Sequence, residues 1–104
     1  MAREFNDNNF EQEVLKADKT VLVDFYTPAC GPCRKLAPTI DKLAAEDGEV
    51  LVGKCDVSEN LDTGIAYKIH AVPALVLFKG GKEVDRKLGL MSEMELREWL
   101  GEKK

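Results

Sequence analysis

An α/β fold is predicted by three features of the sequence. Patterns typical of helices alternate with patterns typical of strands, a pair of glycines joins the last two strands, and hydrophobic residues make up 44% of the 104 positions, which suffices for a buried core. Alternation predicts parallel strands with helices on both faces of the sheet, and the glycine hairpin adds an antiparallel edge strand. A chain of this length is expected to form one domain over residues 1–104.

The first part of the chain is predicted to form a helix, a strand and a second helix. Asn8 with Glu11 has the spacing of a capping box, which predicts a first helix over roughly residues 8–17. The β-branched and aromatic segment Thr20–Tyr26 predicts a buried strand. After a Cys-Gly-Pro-Cys turn, apolar residues at helical spacing predict a helix that runs to about Glu46.

The middle of the chain is predicted to form a strand and a short helix. Val50–Val57 has the composition of a second strand. Ser58 is a candidate cap for a helix that ends at Tyr67, in which Leu61 and Ile65 are expected to face inward.

A hairpin and a helix are predicted to complete the chain. The strands Ala74–Phe78 and Lys82–Leu88 are separated by Gly80-Gly81, a strong hairpin signal. The second of these strands is highly charged, as expected of a protected sheet edge. Ser92 with Glu95 then predicts a capping box at the start of the last helix.

The charge balance and the apolar segments exclude two classes of partner. Lys and Arg number 15 against 19 Asp and Glu, a net charge of −4, whereas a general nucleic-acid-binding protein needs a basic surface. The longest apolar run, Ala71–Phe78, contains a proline and is too short to cross a bilayer. The N-terminal residues lack the apolar core of a secretion signal. We therefore expect a cytoplasmic protein with no nucleic-acid or membrane partner.

The most specific motif is Cys30-Gly31-Pro32-Cys33, between a predicted strand and a predicted helix. At a helix N-terminus, unpaired N–H groups and the positive end of the helix dipole favour a thiolate over a thiol. Cys30 is therefore the predicted nucleophile. Cys33 lies one turn further into the helix, where it is expected to be more buried and to resolve a mixed disulfide formed on Cys30.

Two charged residues occupy positions predicted to be buried. Asp24 stands in the middle of an apolar strand, where desolvation raises the pKa of a carboxyl group and suits it to proton transfer near neutral pH. Lys54 lies inside the next predicted strand and is a candidate partner for Asp24 across adjacent strands. A snorkelling lysine, or a lysine on an edge strand, is an equally simple interpretation of Lys54.

Cys55 and His70 keep a metal site open as an alternative. With Cys30 and Cys33 they provide four ligands of suitable type for zinc, but the second pair lacks the close spacing of structural zinc sites. Cys55, on an apolar strand, is most simply a small buried hydrophobic residue. His70 lies in a loop that is expected to approach Cys30. The favoured interpretation has no metal and no bound cofactor, because the dithiol itself carries the electrons.

The chain resembles the thioredoxin family over essentially its whole length. The resemblance is carried by the strand before the cysteine motif, a lysine and an aspartate in the next strand, a Val-Pro pair and three glycines. These residues are Val21–Phe25 with Cys30–Cys33, Lys54 with Asp56, Val72-Pro73, Gly80-Gly81 and Gly89. The resemblance implies a thioredoxin fold, which has three α/β/α layers, a central five-stranded mixed sheet and four flanking helices.

The resemblance also implies a role for each residue of the site. Cys30 would attack a disulfide of a target protein and Cys33 would resolve the mixed disulfide, while Asp24 with Lys54 manages the proton of Cys33. Pro73 would be in the cis form and stand against the cysteines. The residues expected to border a bound substrate are Ala29, Gly31, Pro32, Val72, Pro73 and Gly89.

The activity implied by the resemblance is that of a protein disulfide reductase. Each cycle would leave a Cys30–Cys33 disulfide for a thioredoxin reductase to reduce, and disulfide-containing target proteins would pair with the backbone of Val72 as extended segments. We expect a monomer. A non-catalytic interaction module of the same fold is the remaining alternative, and it predicts that a double serine variant of both cysteines keeps its biological role.

Two departures from the family pattern touch the expected docking surface. Tyr26-Thr27-Pro28-Ala29 stands where the family usually has aromatic residues, among them a tryptophan before the first cysteine. Ala74 replaces the threonine that commonly follows the proline. Both departures leave the thiol chemistry intact and bear on the choice of reductase and targets. The only tryptophan, Trp99, lies in the last predicted helix, where we expect it to pack in the core.

Overall fold

Five strands and four helices make up the computed structural model, which describes residues 2–46 and 48–103. The strands are β1 (Arg3–Phe5), β2 (Thr20–Tyr26), β3 (Val50–Asp56), β4 (Ala74–Lys79) and β5 (Lys82–Leu88). The helices are a π-helix (Glu11–Leu15), α1 (Gly31–Glu46), α2 (Leu61–Ala66) and α3 (Glu93–Lys103). None of the helices in the described ranges combines the length and the apolar character that crossing a bilayer requires.

The strands form one mixed sheet in the order β1-β3-β2-β4-β5. β1, β3 and β2 run parallel, β4 runs antiparallel to β2, and β5 pairs antiparallel with β4 at the edge. The mixed five-stranded sheet implied by the resemblance is therefore confirmed. The parallel direction that alternation predicts for β4 is wrong, and β1 is a strand that the sequence patterns did not reveal.

The direction of β4 follows from the short helix before it. α2 has 6 residues and spans about 9 Å, whereas the 7 residues of β3 extend over about 23 Å. A helix this short does not span that length, and the chain after it folds back on the helix, because the N–H groups of Lys68 and Ile69 donate to the carbonyls of Ile65 and Gly64. The chain therefore enters β4 at the edge where β2 and β3 end, with Ala74 opposite Phe25.

Side chains of the central strands alternate between two buried layers. Leu22 and Val52 face a layer that also contains Leu36 of α1 and Leu96 of α3, here called the α1/α3 layer. The intervening strand residues face a second layer, here called the π-helix layer. Its buried members are Phe5, Phe10, Val14, Val21, Val23, Phe25, Cys55, Ala74, Val76 and Phe78. The alternation of side chains along β2 and β3 places Asp24 and Lys54 on the α1/α3 side.

Most predicted elements are confirmed within one residue. These are the strands β2 to β5 and the helix α1, which continues past Pro38 to Glu46. Gly80 and Gly81 have φ angles of +61° and +81° and form the tight turn between β4 and β5. Trp99 is 4% exposed in the α1/α3 layer, so its predicted role in the core is also confirmed.

The first helix differs from its prediction in length and in cap. It is a π-helix over Glu11–Leu15, shorter than the expected 8–17, and the N–H of Asn8 donates to the side chain of Asn6. The N-cap position is Phe10, which has no side-chain cap, so the predicted capping box is wrong. Two asparagines instead close the turn before the helix. The N–H of Asn6 donates to Oδ1 of Asn9 at 2.7 Å, and the N–H of Asn9 donates to Oδ1 of Asn6 at 2.8 Å.

The short helix α2 buries a different face from the one predicted. Leu61 and Ile65 are 62% and 74% exposed, whereas Thr63 and Gly64 are buried. A Cβ added to Gly64 would lie 3.2 Å from Val57, at the end of β3. This distance is tighter than most Cβ contacts, so glycine favours the close approach of this face to Val57. The apolar pattern does not select the buried face.

Of the other two predicted caps, one is wrong and one is confirmed. Ser58 does not cap α2, because its N–H and hydroxyl both donate to Oδ1 of Asp56, at 2.9 and 2.6 Å. The N-cap position of α2 is Asn60. Before α3, the N–H of Ser92 donates to Glu95 at 3.0 Å and the N–H of Glu95 donates to the Ser92 hydroxyl at 3.1 Å. That exchange is the predicted capping box.

Candidate redox site

The two cysteines of the motif lie together at the start of α1. Cys30 and Cys33 form a disulfide, and their Cα atoms are 5.2 Å apart. The Sγ atom of Cys30 accepts the backbone N–H of Cys33 at 3.2 Å. Cys33 is 3% exposed, whereas Cys30 is only half-buried. The sulfur of Cys30 is therefore the one that a partner can reach, and it already receives a helix N-terminal donor.

Local hydrogen bonds fix the turn that presents Cys30. Its N–H donates to the carbonyl of Thr27 at 3.2 Å, and its own carbonyl accepts the first helical N–H, from Arg34, at 3.1 Å. The guanidinium of Arg34 also donates to the carbonyl of Pro28 at 2.9 Å. Arg34 thus ties the first turn of α1 to the preceding loop, a role that the sequence patterns did not predict.

A cis peptide bond between Val72 and Pro73 faces the disulfide. Sγ of Cys30 lies 3.7 Å from the carbonyl oxygen of Val72. The carbonyl of Pro73 accepts the N–H of Gly89 at 2.9 Å, and Gly89 has a φ of +89°, which glycine adopts without strain. These contacts hold the loop before β4 and the loop after β5 beside the same sulfur.

A groove of about 350 Å³ runs along this side of the disulfide. Five of the six residues expected to border a substrate line it: Gly31, Pro32, Val72, Pro73 and Gly89. Ala29 is exposed beside the motif but is not part of the groove. Lys35 and Leu90 also line the groove. Neither residue carries a local signal in the sequence, because one is a surface lysine and the other a loop leucine.

Asp24 is buried beneath the disulfide, in the α1/α3 layer. It is 2% exposed, and within the described residues its Oδ1 atom has no hydrogen-bond partner. Burial raises the pKa of Asp24 to about 7, the ammonium of Lys54 opposes this shift, and the carboxylate of Glu4 adds to it. The predicted desolvation of this carboxyl group is therefore confirmed. A carboxyl group with a pKa near 7 can both accept and release a proton at neutral pH.

Lys54 lies directly opposite Asp24 on the neighbouring strand. β3 is an interior strand between β1 and β2, so Lys54 is not an edge lysine. Its side chain is half-buried, which agrees with the alternative of a snorkelling lysine. The ammonium of Lys54 stands 5.6 Å from the centroid of the Tyr26 ring. A pocket of about 290 Å³ opens here, and Asp24, Lys54, Tyr26 and Cys33 are among its lining residues. The pocket reaches the buried Cys33 and shares no lining residue with the groove.

The ligands that a metal site would need do not converge. Cys55 is buried in the π-helix layer, on the other face of the sheet from Asp24, and burial raises its pKa to about 12. His70 is exposed beside α2. Across residues 2–46 and 48–103, no three histidine, cysteine, aspartate or glutamate side chains are grouped closely enough to hold a metal ion. Cys55 is thus a packing residue, as its apolar surroundings predict.

Comparison with known proteins finds the same family in each case. Residues 1–102 match the family model described as Thioredoxin. The Thioredoxin of Rickettsia conorii is 42% identical over 101 residues, which cover 96% of each chain. The Thioredoxin 1 of a Nostoc species is 41% identical over 100 residues, or 95% of this chain and 94% of the relative. The Thioredoxin of Buchnera aphidicola is 39% identical over 100 residues, or 95% and 93% of the two chains.

Proposed function

The chain belongs to the thioredoxin family and is a thiol–disulfide oxidoreductase, and we propose that it works as a protein disulfide reductase. One observation carries this proposal. The half-buried sulfur of Cys30 lies at the N-terminus of α1, where it accepts the N–H of Cys33 at 3.2 Å, and it borders the carbonyl of Val72 at 3.7 Å. The nucleophile and the backbone on which an extended target segment can pair are thus adjacent.

In the first step, the Cys30 thiolate attacks one sulfur of the target disulfide. A bond forms between Sγ of Cys30 and that sulfur while the target disulfide breaks, and the departing target sulfur takes up a proton. The N–H of Cys33 and the dipole of α1, a helix of 16 residues, stabilise the thiolate before the attack. The target segment would lie in the groove beside Val72 and Pro73.

In the second step, Cys33 resolves the mixed disulfide. Its sulfur bonds to Sγ of Cys30, the second target sulfur leaves with a proton, and the dithiol has given two electrons and two protons to the target. Cys33 is 3% exposed, so its thiol proton needs an acceptor inside the protein. Asp24 lines the same pocket, and its pKa of about 7 suits it to take this proton. Lys54, opposite Asp24, would stabilise the carboxylate before it accepts this proton and again after the proton is released.

Membership of the family implies that a thioredoxin reductase reduces the Cys30–Cys33 disulfide and that disulfide-containing proteins are the targets. We further propose that the chain acts as one domain and as a monomer, in the cytoplasm. A reducing compartment suits this assignment because it keeps the free thiol of Cys55 reduced and supplies electrons for the dithiol.

The test is reduction of a disulfide-bonded protein with dithiothreitol as electron source. We expect Cys30→Ser to abolish the catalysed rate. When reduced Cys33→Ser is freed of dithiothreitol and mixed with the target, we expect a mixed disulfide between Cys30 and the target to accumulate. Cys55→Ala is the matched control, because it removes a thiol on the opposite face of the sheet. Full activity of Cys30→Ser would overturn the proposal. A double serine variant of Cys30 and Cys33 that kept its role in cells would instead support a non-catalytic interaction module.

A further inference from the structure

Three charged residues stand in register across three neighbouring strands. Glu4 of β1 is the direct cross-strand partner of Lys54, and Lys54 is the direct partner of Asp24 on β2. Directly paired side chains point to the same side of a sheet, and neighbouring strands are about 4.8 Å apart. The lysine therefore stands between two carboxyl groups, one exposed (Glu4) and one 2% exposed (Asp24).

Tyr26 contacts both Glu4 and Lys54. Its hydroxyl donates to Oε1 of Glu4 at 3.0 Å, and its ring stands 5.6 Å from the ammonium of Lys54. Burial, with the hydrogen bond to Glu4, raises the pKa of Tyr26, so the hydroxyl remains a donor at physiological pH. The same side chain thus holds the carboxylate and provides a surface for the ammonium.

The remaining groups around the row come from three elements. Arg34 of α1 lines the same pocket. Asp56 follows Lys54 on the same face of β3 and is the direct partner of Tyr26. On the other side of Asp24, β4 contributes only the apolar Leu75 at the directly paired position. Among the three paired residues, Lys54 therefore provides the one ammonium group beside Asp24, and the same group is beside Glu4.

We propose that Glu4 and Tyr26 are positioning residues that divide the ammonium of Lys54 between two carboxyl groups and so set the pH range in which Asp24 exchanges its proton with Cys33. The part about Cys33 rests on the proposed function. Glu4 draws the ammonium away from Asp24 and adds a negative charge. Tyr26 limits this effect in two ways. Its hydroxyl donates a hydrogen bond to one oxygen of Glu4, and its ring attracts the ammonium of Lys54.

Charge magnitudes make the effect measurable. Glu4 and Asp24 are two strand spacings apart, about 10 Å, where one unit charge in a medium between protein and water shifts a titration by roughly half a pH unit. We therefore expect Glu4→Gln to lower the midpoint of the Asp24 titration by about this amount, since Lys54 is then left to Asp24 alone. We expect Tyr26→Phe to raise the midpoint, because Glu4 is released to pair with Lys54.

The experiment is carboxyl-carbon NMR of Asp24, titrated in the reduced and the oxidised protein, with the pH dependence of mixed-disulfide resolution measured in parallel. The double variant Glu4→Gln with Tyr26→Phe should match Glu4→Gln alone, because the hydroxyl then has no carboxylate to hold. Glu102→Gln is the control for net charge. Glu102 lies in the last turn of α3, far from Asp24. The next residue, Lys103, accepts a hydrogen bond from Lys79, and Lys79 is at the end of β4 opposite to Ala74.

Two results would overturn the proposal: a Glu4→Gln midpoint no different from that of Glu102→Gln, or a Tyr26→Phe midpoint that moves downward. A fall in thermal stability alone would move neither midpoint in these opposite directions. The NMR titration needs no substrate, so it can contradict the proposed roles of Glu4 and Tyr26 while disulfide reduction is normal. Conversely, if no protein disulfide is reduced but the midpoints move as expected, the proposed function is wrong. The proposal that Glu4 and Asp24 share the ammonium of Lys54 is then still supported.

Discussion

Each face of the sheet buries an ionisable side chain, but only one face places that side chain beside a reactive group. The π-helix layer encloses a cysteine, Cys55, among aromatic and aliphatic side chains, and that thiol forms no disulfide. The α1/α3 layer encloses Asp24 beside Cys33, at the point where α1 begins. Burial raises the pKa of both Asp24 and Cys55. It creates function only on the face where a second reactive group and a helix N-terminus adjoin the buried group.

The largest expected difference between the faces is in activity. Cys30→Ser should lower the rate of disulfide reduction at least about 100-fold, because it removes the nucleophile. Cys55→Ala should leave that rate within about twofold, since its thiol is fully buried on the other face. The measurement is turnover of a disulfide-bonded protein under matched conditions. Equal losses in the two variants would remove the functional distinction between the layers.

The second difference is a dependence of stability on pH that belongs to Asp24. Its pKa is about 7 in the folded protein and near 3.8 when unfolded, so the folded state binds more protons between these values. The free energy of unfolding should therefore fall as the pH rises from about 4 to about 7, with a plateau above. Asp24→Asn should remove this fall and be about 4 kcal/mol more stable at pH 8, but no more stable at pH 3.

The same variant should be slower in turnover by about 10-fold or more, because Cys33 loses its proton acceptor. Chemical denaturation at several pH values, with turnover measured alongside, checks both parts. A variant that is destabilised at pH 8 and turns over normally would contradict them.

A third difference concerns packing in the π-helix layer. A Cβ added to Gly53 would meet the ring of Phe5 and would lie 2.8 Å from the carbonyl oxygen of Arg3. Because that oxygen belongs to a paired strand, it cannot move freely. We expect Gly53→Ala to cost about 1–3 kcal/mol of unfolding free energy. The NMR titration of Asp24 should nevertheless keep its midpoint, and a moved midpoint would show that the two layers are coupled.

The smallest expected effect is on the exposed side of α2. Leu61→Ala should change the unfolding free energy by less than about 0.5 kcal/mol, because the side chain is 62% exposed. Leu36→Ala, in the α1/α3 layer, is the contrasting variant and should cost about 2–5 kcal/mol. Urea denaturation measures both. A cost for Leu61→Ala similar to that of Leu36→Ala would mean that this leucine is buried after all.

Sequence patterns predicted the parts of the fold whose signals are local. The strand Thr20–Tyr26, the hairpin at Gly80-Gly81 and the box formed by Ser92 and Glu95 each depend on neighbouring residues, and each is confirmed. Short elements without such signals were missed or misjudged. The 3 residues of β1 are too few to show a period, and the buried face of α2 depends on the approach of Gly64 to β3.

The candidate site divides in the same way. The sequence by itself determined the reactive pair and its surroundings along the chain: two cysteines at the start of a helix, and a carboxyl group inside an apolar strand. Only the tertiary structure decided what faces them. Val72 reaches Cys30 from 42 residues away, and the row from Glu4 through Lys54 to Asp24 exists only because β3 pairs between β1 and β2. The physical reason is that bonding patterns along a chain are local, whereas strand order, register and burial are decided by which surfaces the whole chain packs together.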